Sequence, residues 1–426
     1  MANVLHDFGF AENQPIIFLS FDAFKNSMPS PLTKIVLKKG KDRSLLNFHP
    51  WVFSGAIEGV DKQPEEGEVV EVYSFEKKFL ATGHFHQGGI SVRIFSFKQI
   101  IPDENFWIGK IKTAYQTRAQ LGFSSDSKTN CYRLVHGEGD QLPGLIIDFY
   151  NRVAVIQAHT NGMYLLRNII AKSLKEIYGE SLLAVYDKSS DTLGKNNSLN
   201  PQNEYLFRSE DFIPENHWVK ENEMEFFVDW ELGQKTAFFL DQRDNRRLLL
   251  KYSNGKKVLN TFAYSGGFSV FALAGNALSV DSVDSSVKAE AWANKNIEKN
   301  FPNSAHRFFR EDVADFMKKN IEPYDTIILD PPAFAKHRSS LRQASIGYQN
   351  LNASAIRRIK PGGIIFTFSC SQVIDKKLFR QLIFAAAAGT GRQVTILHQL
   401  SQPADHPINI YHPEGEYLKG LVLRVE

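Results

Sequence analysis

The chain has 426 residues, 43% hydrophobic and 23% charged, which is ordinary globular material with enough apolar mass for two or three cores. Fifty Lys and Arg against 47 Asp and Glu leave a formal charge of +3, too near balance to indicate a polyanionic partner by itself. No apolar run reaches the roughly 18 residues that span a bilayer, and two cysteines cannot staple a disulfide framework.

Residues 1–30 show no sustained periodicity and carry the breaker "NSMPSP", so they read as an N-terminal extension, with disorder one option. Within it "PIIFLSF" lacks a basic lead-in and a cleavage site, and a cytoplasmic protein without a membrane partner is expected. Over 31–104 short β-branched stretches ("TKIVLKK", "GEVVEVYS", "FLATGHF", "GISVRIFSF") predict a small all-β barrel. The spacing in "FWIGKIKTAYQTRAQLG" then predicts a helix over 106–122. Strands "LIIDFY", "VAVIQAHT" and "LLAVYDKS" with one more helix make a small α+β unit over 105–203, closed by the polar loop Asp191–Asn203 as a linker.

Residues 204–426 begin with a hairpin at "NEMEFFVDW" and then alternate strand and helix, the pattern of an α/β unit whose mostly parallel sheet is covered on both faces. The last two strands, "RQVTILHQL" and "LKGLVLRV", have no helix between them, so one is expected to insert antiparallel. Three basic clusters could neutralise phosphates, or could be solvated faces: Lys38, Lys39, Lys41 and Arg43; Arg243, Arg246 and Arg247; Arg357, Arg358 and Lys360. The pair His84 and His86 has no carboxylate or cysteine cluster around it, and no metal site is expected.

In such a sheet ligands bind at the carboxyl ends of the strands. There the first strand leads into "NTFAYSGGFS", where Gly266 and Gly267 allow close backbone approach at a helix start. The second ends at Asp284, the third at Asp312 and the fourth at Asp330 in "DPPAF". A lone acid at a strand end is most often a helix cap; three in order, after a glycine pair, point to a ligand. The series resembles class I S-adenosylmethionine-dependent methyltransferases. The resemblance implies that Phe262 and Tyr264 to Gly267 (Ser265 and Gly266 between) hold the amino acid part of S-adenosylmethionine. It likewise implies Asp284 with Ser285 for the ribose and Asp312 with Val313 beside the adenine, with Asp330 bordering the cofactor.

"DPPAF" is similar to the D/N-P-P-aromatic motif of methyltransferases that act on nucleic-acid bases. Its prolines, Pro331 and Pro332, stiffen the loop, Asp330 can bind a base edge, and Phe334 offers a stacking face. A rigid turn would look the same. Cys370 in "FSCSQ" reaches the same edge, on the neighbouring strand. A free cysteine is usually a small buried hydrophobe, the reading given to Cys131. At this position Cys370 can instead be a nucleophile: a thiolate adding to carbon 6 of cytosine makes carbon 5 reactive enough to attack a sulfonium methyl. That needs a lowered thiol pKa or a nearby base.

From Thr33 to Glu426 the chain resembles the bacterial large-subunit rRNA cytosine-5 methyltransferase family, through "KKGKDRSLLNFHPWVFSGAI", "RLVHGEGDQLPGLIIDFY", "GQKTAFFLDQRDNR", "NTFAYSGGFS", "SVDSS", "DPPAFAK", "FSCSQ" and "HPEGEYLKGLVLRV". The resemblance implies a PUA-type RNA-binding barrel, a small central domain and a Rossmann-like methyltransferase domain with a seven-stranded sheet. It implies 23S rRNA or a large-subunit assembly intermediate as partner, with a homodimer left open. It makes Cys370 the nucleophile, Asp330 its companion, and Phe239 and Gln242 cofactor contacts. Lys38, Lys39, Lys41 and Arg43 then contact RNA. Many RNA cytosine-5 enzymes carry a second cysteine after the motif proline; here Pro332 and Ala333 stand there, so another base or water must serve product release. Two alternatives stay open: methylation of a guanine or adenine nitrogen with Cys370 as packing, and a non-catalytic RNA-binding assembly factor.

Overall fold

The barrel begins with Thr33–Leu37, whose alternate residues Ile35 and Leu37 point inward and meet Val70, Val72, Ala81, Val92 and Ile94. A computed structural model of the protein describes residues 31–124, 127–194, 197–319, 322–335 and 337–426; the N-terminal extension lies outside them. The barrel's six strands run in the order Trp51–Phe53, Ile90–Ser96, Phe79–Phe85, Val69–Tyr73, Thr33–Leu37, Ile57–Val60. His84 faces out of it and stacks on Trp107 of the following helix, where burial pulls its pKa down to about 4. His86 pairs with Glu66.

The helix Glu104–Gln120 starts at Asp103, whose side chain accepts the Phe106 amide, and it buries Trp107, Ile111 and Ala114 against the central sheet. That sheet has five strands, in the order Glu204–Arg208, Ala184–Asp187, Val153–Ala158, Leu145–Tyr150, Cys131–His136. The segment after Asp191 therefore does not leave the central unit as a linker: it returns to add Glu204–Arg208 antiparallel to Ala184–Asp187. Nor does the core stop near 203. Cys131, Tyr150 and Val155 share one apolar cluster with Trp230, Phe238, Phe268 and Phe366, and Thr33–Glu426 forms one compact unit.

The C-terminal sheet has β1 (Lys257–Thr261), β2 (Ser279–Val283), β3 (His306–Phe309), β4 (Tyr324–Leu329), β5 (Ile359–Ser369), β6 (Val394–Leu400) and β7 (Lys419–Val425). Their order is β3-β2-β1-β4-β5-β7-β6, all parallel except β7, which is antiparallel to both β5 and β6. Helices cover both faces, so the central strands are nearly continuous apolar runs: Ile327, Ile328 and Leu329 of β4 are fully buried. Among the described residues no helix is long and apolar enough to cross a membrane.

Two of the three basic clusters are in part spent on internal acidic partners. Arg243 is buried against Asp405 through two hydrogen bonds of 3.0 and 2.5 Å, and Arg246 against Glu221 through two of 2.7 and 2.6 Å. Only Arg247 of that trio is exposed. Arg357, Arg358 and Lys360 sit at the amino end of β5, the far edge from any site at the carboxyl ends, and Lys360 pairs with Asp325 at 2.9 Å. Breaking a buried pair strands a charge without a partner. Glu221→Gln is thus expected to destabilise the protein by about 3 kcal/mol, read as a lower urea midpoint at pH 7.

Candidate active site

The turn after β1 is held in an unusual conformation. Phe262, Tyr264 and Gly266 have φ of 54°, 46° and 76°, and for the two aromatic residues the left-handed region costs about 1–3 kcal/mol each. Tyr264 is over-determined by its neighbours. Its amide donates to Asp284 Oδ2 at 3.0 Å, and its hydroxyl donates to the Ala237 carbonyl at 2.7 Å and accepts the Gln234 amide at 3.2 Å. Its ring stands edge-on to Phe239 and Trp292. The glycine pair has a packing reason that the sequence did not disclose. A Cβ on Gly266 would lie 3.1 Å from Ala293 Cβ, and one on Gly267 would lie 3.0 Å from Arg246 Cδ. The helix Val287–Asn300 thus presses on the loop, and Asn296 Nδ2 donates to the Ser265 carbonyl at 2.8 Å.

The acidic series lies at the carboxyl ends of β2, β3 and β4. Asp284 is half-buried; its Oδ1 accepts the Ser286 amide at 3.0 Å, and Ser285 is exposed. Asp312 is exposed and caps the helix Val313–Lys319, its Oδ1 accepting the Ala314 and Asp315 amides at 2.8 and 3.1 Å, while Val313 is buried. The capping reading of Asp312 therefore holds as a fact of the structure, whatever else the carboxylate does. Phe239 is half-buried beside Tyr264, with the Lys235 ammonium 5.1 Å from its ring centre. Gln242 is buried, and its amide is already engaged: Nε2 donates to Asp330 Oδ1 at 2.9 Å and Oε1 accepts from Asn245 at 2.7 Å. Its observed role is to orient Asp330.

Asp330 and Cys370 leave the sheet side by side, because β4 and β5 are parallel neighbours in the register Leu329 to Thr367. Burial pushes the Asp330 carboxyl up to about 7; nearby Asp241 adds to this, while Gln242, Arg246 and Lys235 oppose it. Asp241, by contrast, is held below the usual carboxylate range. Burial works against its charge, but Lys235, His406 and the Tyr417 hydroxyl (2.7 Å from Oδ2) outweigh it. Two carboxyls are thus pushed apart in pKa, one ionised and one able to carry a proton near neutrality. The half-buried Cys370 thiol is pushed up by burial and by Asp330 and Asp241, with Lys235 and Lys419 pulling the other way.

Around this pair Pro331 is buried and Pro332 exposed. Phe334 is half-buried with its ring 4.7 Å from that of Tyr348, and it also borders Gly347. Part of the ring expected to stack on a base is therefore spent on the helix Leu341–Arg358. Cys131 lies fully buried in the core. Lys38, Lys39, Lys41 and Arg43 are exposed on a barrel turn, Lys38 Nζ reaching the Gly55 carbonyl at 3.2 Å. The sequence reading missed Asp241, Lys235 and Lys419; Asp241 and Lys235 lie inside "GQKTAFFLDQRDNRR", a stretch recognised but assigned through other residues. Among the described residues no three His, Cys, Asp or Glu side chains form a metal cluster.

An elongated ligand with an amino acid end, ribose hydroxyls and a planar base fits this row of groups: a backbone turn in the left-handed region, a half-exposed carboxylate, and an exposed carboxylate one strand further on. Comparison with known proteins agrees. Residues 35–97 match the PUA-like domain profile, and residues 196–415 match that of S-adenosylmethionine-dependent methyltransferases. The ribosomal RNA large subunit methyltransferase I of Aeromonas hydrophila is 39% identical over 92% of this chain and 98% of its own length. That of Yersinia pestis is 37% identical over 92% and 99%. Among solved structures, a protein of Streptococcus mutans described as a SAM-dependent methyltransferase superposes with a TM-score of 0.78 at 24% identity, over 92% of this chain and 99% of its own, which speaks to the fold. A methyltransferase structure complexed with SAH gives a TM-score of 0.79 at the same identity and coverage. Matched nearly end to end by such relatives, the chain is an S-adenosylmethionine-dependent methyltransferase and belongs to the ribosomal RNA large subunit methyltransferase I family.

Proposed function

We propose that the protein methylates carbon 5 of a cytosine in 23S rRNA, with Cys370 as a transient covalent nucleophile. The observation that carries this reading is the pairing of a half-exposed thiol and a carboxyl with pKa near 7 on adjacent strand ends. A base-nitrogen methyltransferase has no use for the thiol. The relatives named for ribosomal RNA and the PUA-like domain support RNA as the substrate.

The backbone from Phe262 to Gly267 would hold the amino acid end of S-adenosylmethionine, Asp284 the ribose, and Asp312 with Val313 the adenine edge. Bound there, the cofactor supplies an electrophilic methyl group. Protonated Asp330, aimed by Gln242, donates a hydrogen bond to ring nitrogen 3 as the Cys370 thiolate adds to carbon 6. Negative charge that would build on the ring is met by that proton, and carbon 5 becomes enamine-like and nucleophilic. Once carbon 5 has taken the methyl and the resulting thioether has departed, loss of the carbon-5 proton to a base or water lets the sulfur–carbon bond break, which returns the thiolate, and the nitrogen-3 proton goes back to Asp330. The exposed Lys38, Lys39, Lys41 and Arg43 supply phosphate contacts on the barrel.

Two measurements bear on this. Unmodified 23S rRNA, incubated with the protein and methyl-labelled S-adenosylmethionine and digested to nucleosides, should yield labelled 5-methylcytidine; label on a purine would overturn the assignment and leave the cofactor site standing. Asp284→Ala removes both the ribose acceptor and the acceptor of the Tyr264 amide. It should weaken S-adenosylmethionine binding by about 10- to 100-fold in calorimetric titration.

A further inference from the structure

Lys419 opens β7 and lies opposite Ser369 of β5 in the antiparallel ladder. It is only 3% exposed. Its ammonium donates to the carbonyl oxygens of Ser371, the residue after Cys370, at 2.7 Å and of Tyr417 at 2.6 Å. An ammonium has three donors, so the two carbonyls leave one unassigned. Among the described residues no carboxylate forms an ion pair with it. The nearest acids are engaged elsewhere: Glu416 with Lys376, and Asp375 as the cap of the helix Lys376–Ala388, accepting the Leu378 amide at 2.7 Å. A buried cation without a counter-charge is costly, which favours the neutral amine before any thiolate forms beside it.

We propose that Lys419 is the proton acceptor and counter-charge of Cys370, so that the two form a thiolate–ammonium pair at the head of β5 and β7. The proposal rests on Cys370 being the nucleophile. The amine lone pair takes the S–H proton, and the bonding electrons stay on sulfur. The ammonium then remains beside the sulfur while the sulfur–carbon bond forms, and it receives the thiolate again when that bond breaks. No net proton is consumed. Burial pulls the lysine down to about 8, with Cys370, Glu416 and Asp375 opposing and Lys376 assisting. That puts it below the Cys370 thiol, which burial pushes up, so the proton rests on sulfur and crosses to the amine as the sulfur–carbon bond forms. On the thiol side the other facing charges are Lys235, Asp330 and Asp241. Lys419 acts through Cys370 and is a positioning residue.

The test is the rate of Cys370 alkylation by iodoacetamide against pH, followed by mass spectrometry on the full chain, with buried Cys131 as internal reference. In Lys419→Met the midpoint should rise by about one pH unit or more, and alkylation at pH 7.5 should slow about tenfold, with S-adenosylmethionine affinity unchanged. Lys419→Arg keeps the charge and should hold the midpoint at or below that of the wild type. An unmoved midpoint in Lys419→Met overturns the proposal, as does an upward shift in Lys419→Arg. If Lys419→Met no longer binds S-adenosylmethionine, the Lys419→Arg profile decides alone by the same criterion. No methyl transfer is read, so a wrong assignment of Cys370 as nucleophile would show separately, as activity surviving in Cys370→Ala.

Discussion

Replacing Cys370 by alanine is expected to lower methyl transfer by about 10⁴-fold or more while leaving S-adenosylmethionine affinity within about twofold. The size follows from the chemistry. Carbon 5 of cytosine is a poor nucleophile, and the adduct at carbon 6 is what changes that. Removing the thiol therefore removes a step rather than weakening a contact. The specificity follows from the structure, since Cys370 is half-buried at a strand end and is not among the groups beside the Tyr264–Gly267 turn. Truncating it deletes one sulfur from the edge of the core, so the fold and the cofactor row should survive. Labelled-methyl incorporation into 23S rRNA, beside calorimetric titration of the cofactor, measures both quantities. An enzyme that methylates a base amine would keep most of its rate, and that result would return Cys370 to the role of packing.

The parallel core was legible because strand-like and helix-like stretches alternate along this part of the chain. The order of acids at 284, 312 and 330 reported the strand ends that the topology gathers on one edge. The absence of a helix between the last two strands likewise announced the antiparallel insertion of β7. What stayed hidden were long-range pairings. Arg246 looks like any surface arginine until Glu221, 25 residues earlier, is folded under it; Arg243 finds Asp405 from 162 residues away. The same holds in the site. Gln242 read as a cofactor contact because its motif borders the cofactor, but local sequence does not show that its amide reaches Asp330 across 88 residues. Lys419 was inside a recognised motif, and only the β5–β7 pairing brings its ammonium to the carbonyl of Ser371, the residue after Cys370. Local pattern encodes the elements; partner choice among polar groups is decided by the assembled core.

The second large effect concerns Asp330, and it is a change of pH profile as well as of rate. A half-buried carboxyl raised to about 7 is protonated below that pH in the folded protein, while the same group in the unfolded chain ionises near 4. Between those values the native state binds the extra proton, so this group's contribution makes stability fall as pH rises from about 4 to 7. Activity has the matching sign. The proton needed at ring nitrogen 3 is present below about 7 and lost above it, whereas the Cys370 thiolate is populated as pH rises, so kcat/KM should be bell-shaped with Asp330 on its descending limb. Asp330→Asn separates the terms. Its carbonyl can still accept from Gln242, and its amide can still point a donor at nitrogen 3, but it has no proton to deliver. The expected result is a fall of about 10²- to 10³-fold at pH 7, loss of the descending limb, and a thermal midpoint that falls less between pH 5 and pH 8 than that of the wild type. A descending limb that persists in Asp330→Asn would assign it to another group and take the proton-donor role away from Asp330.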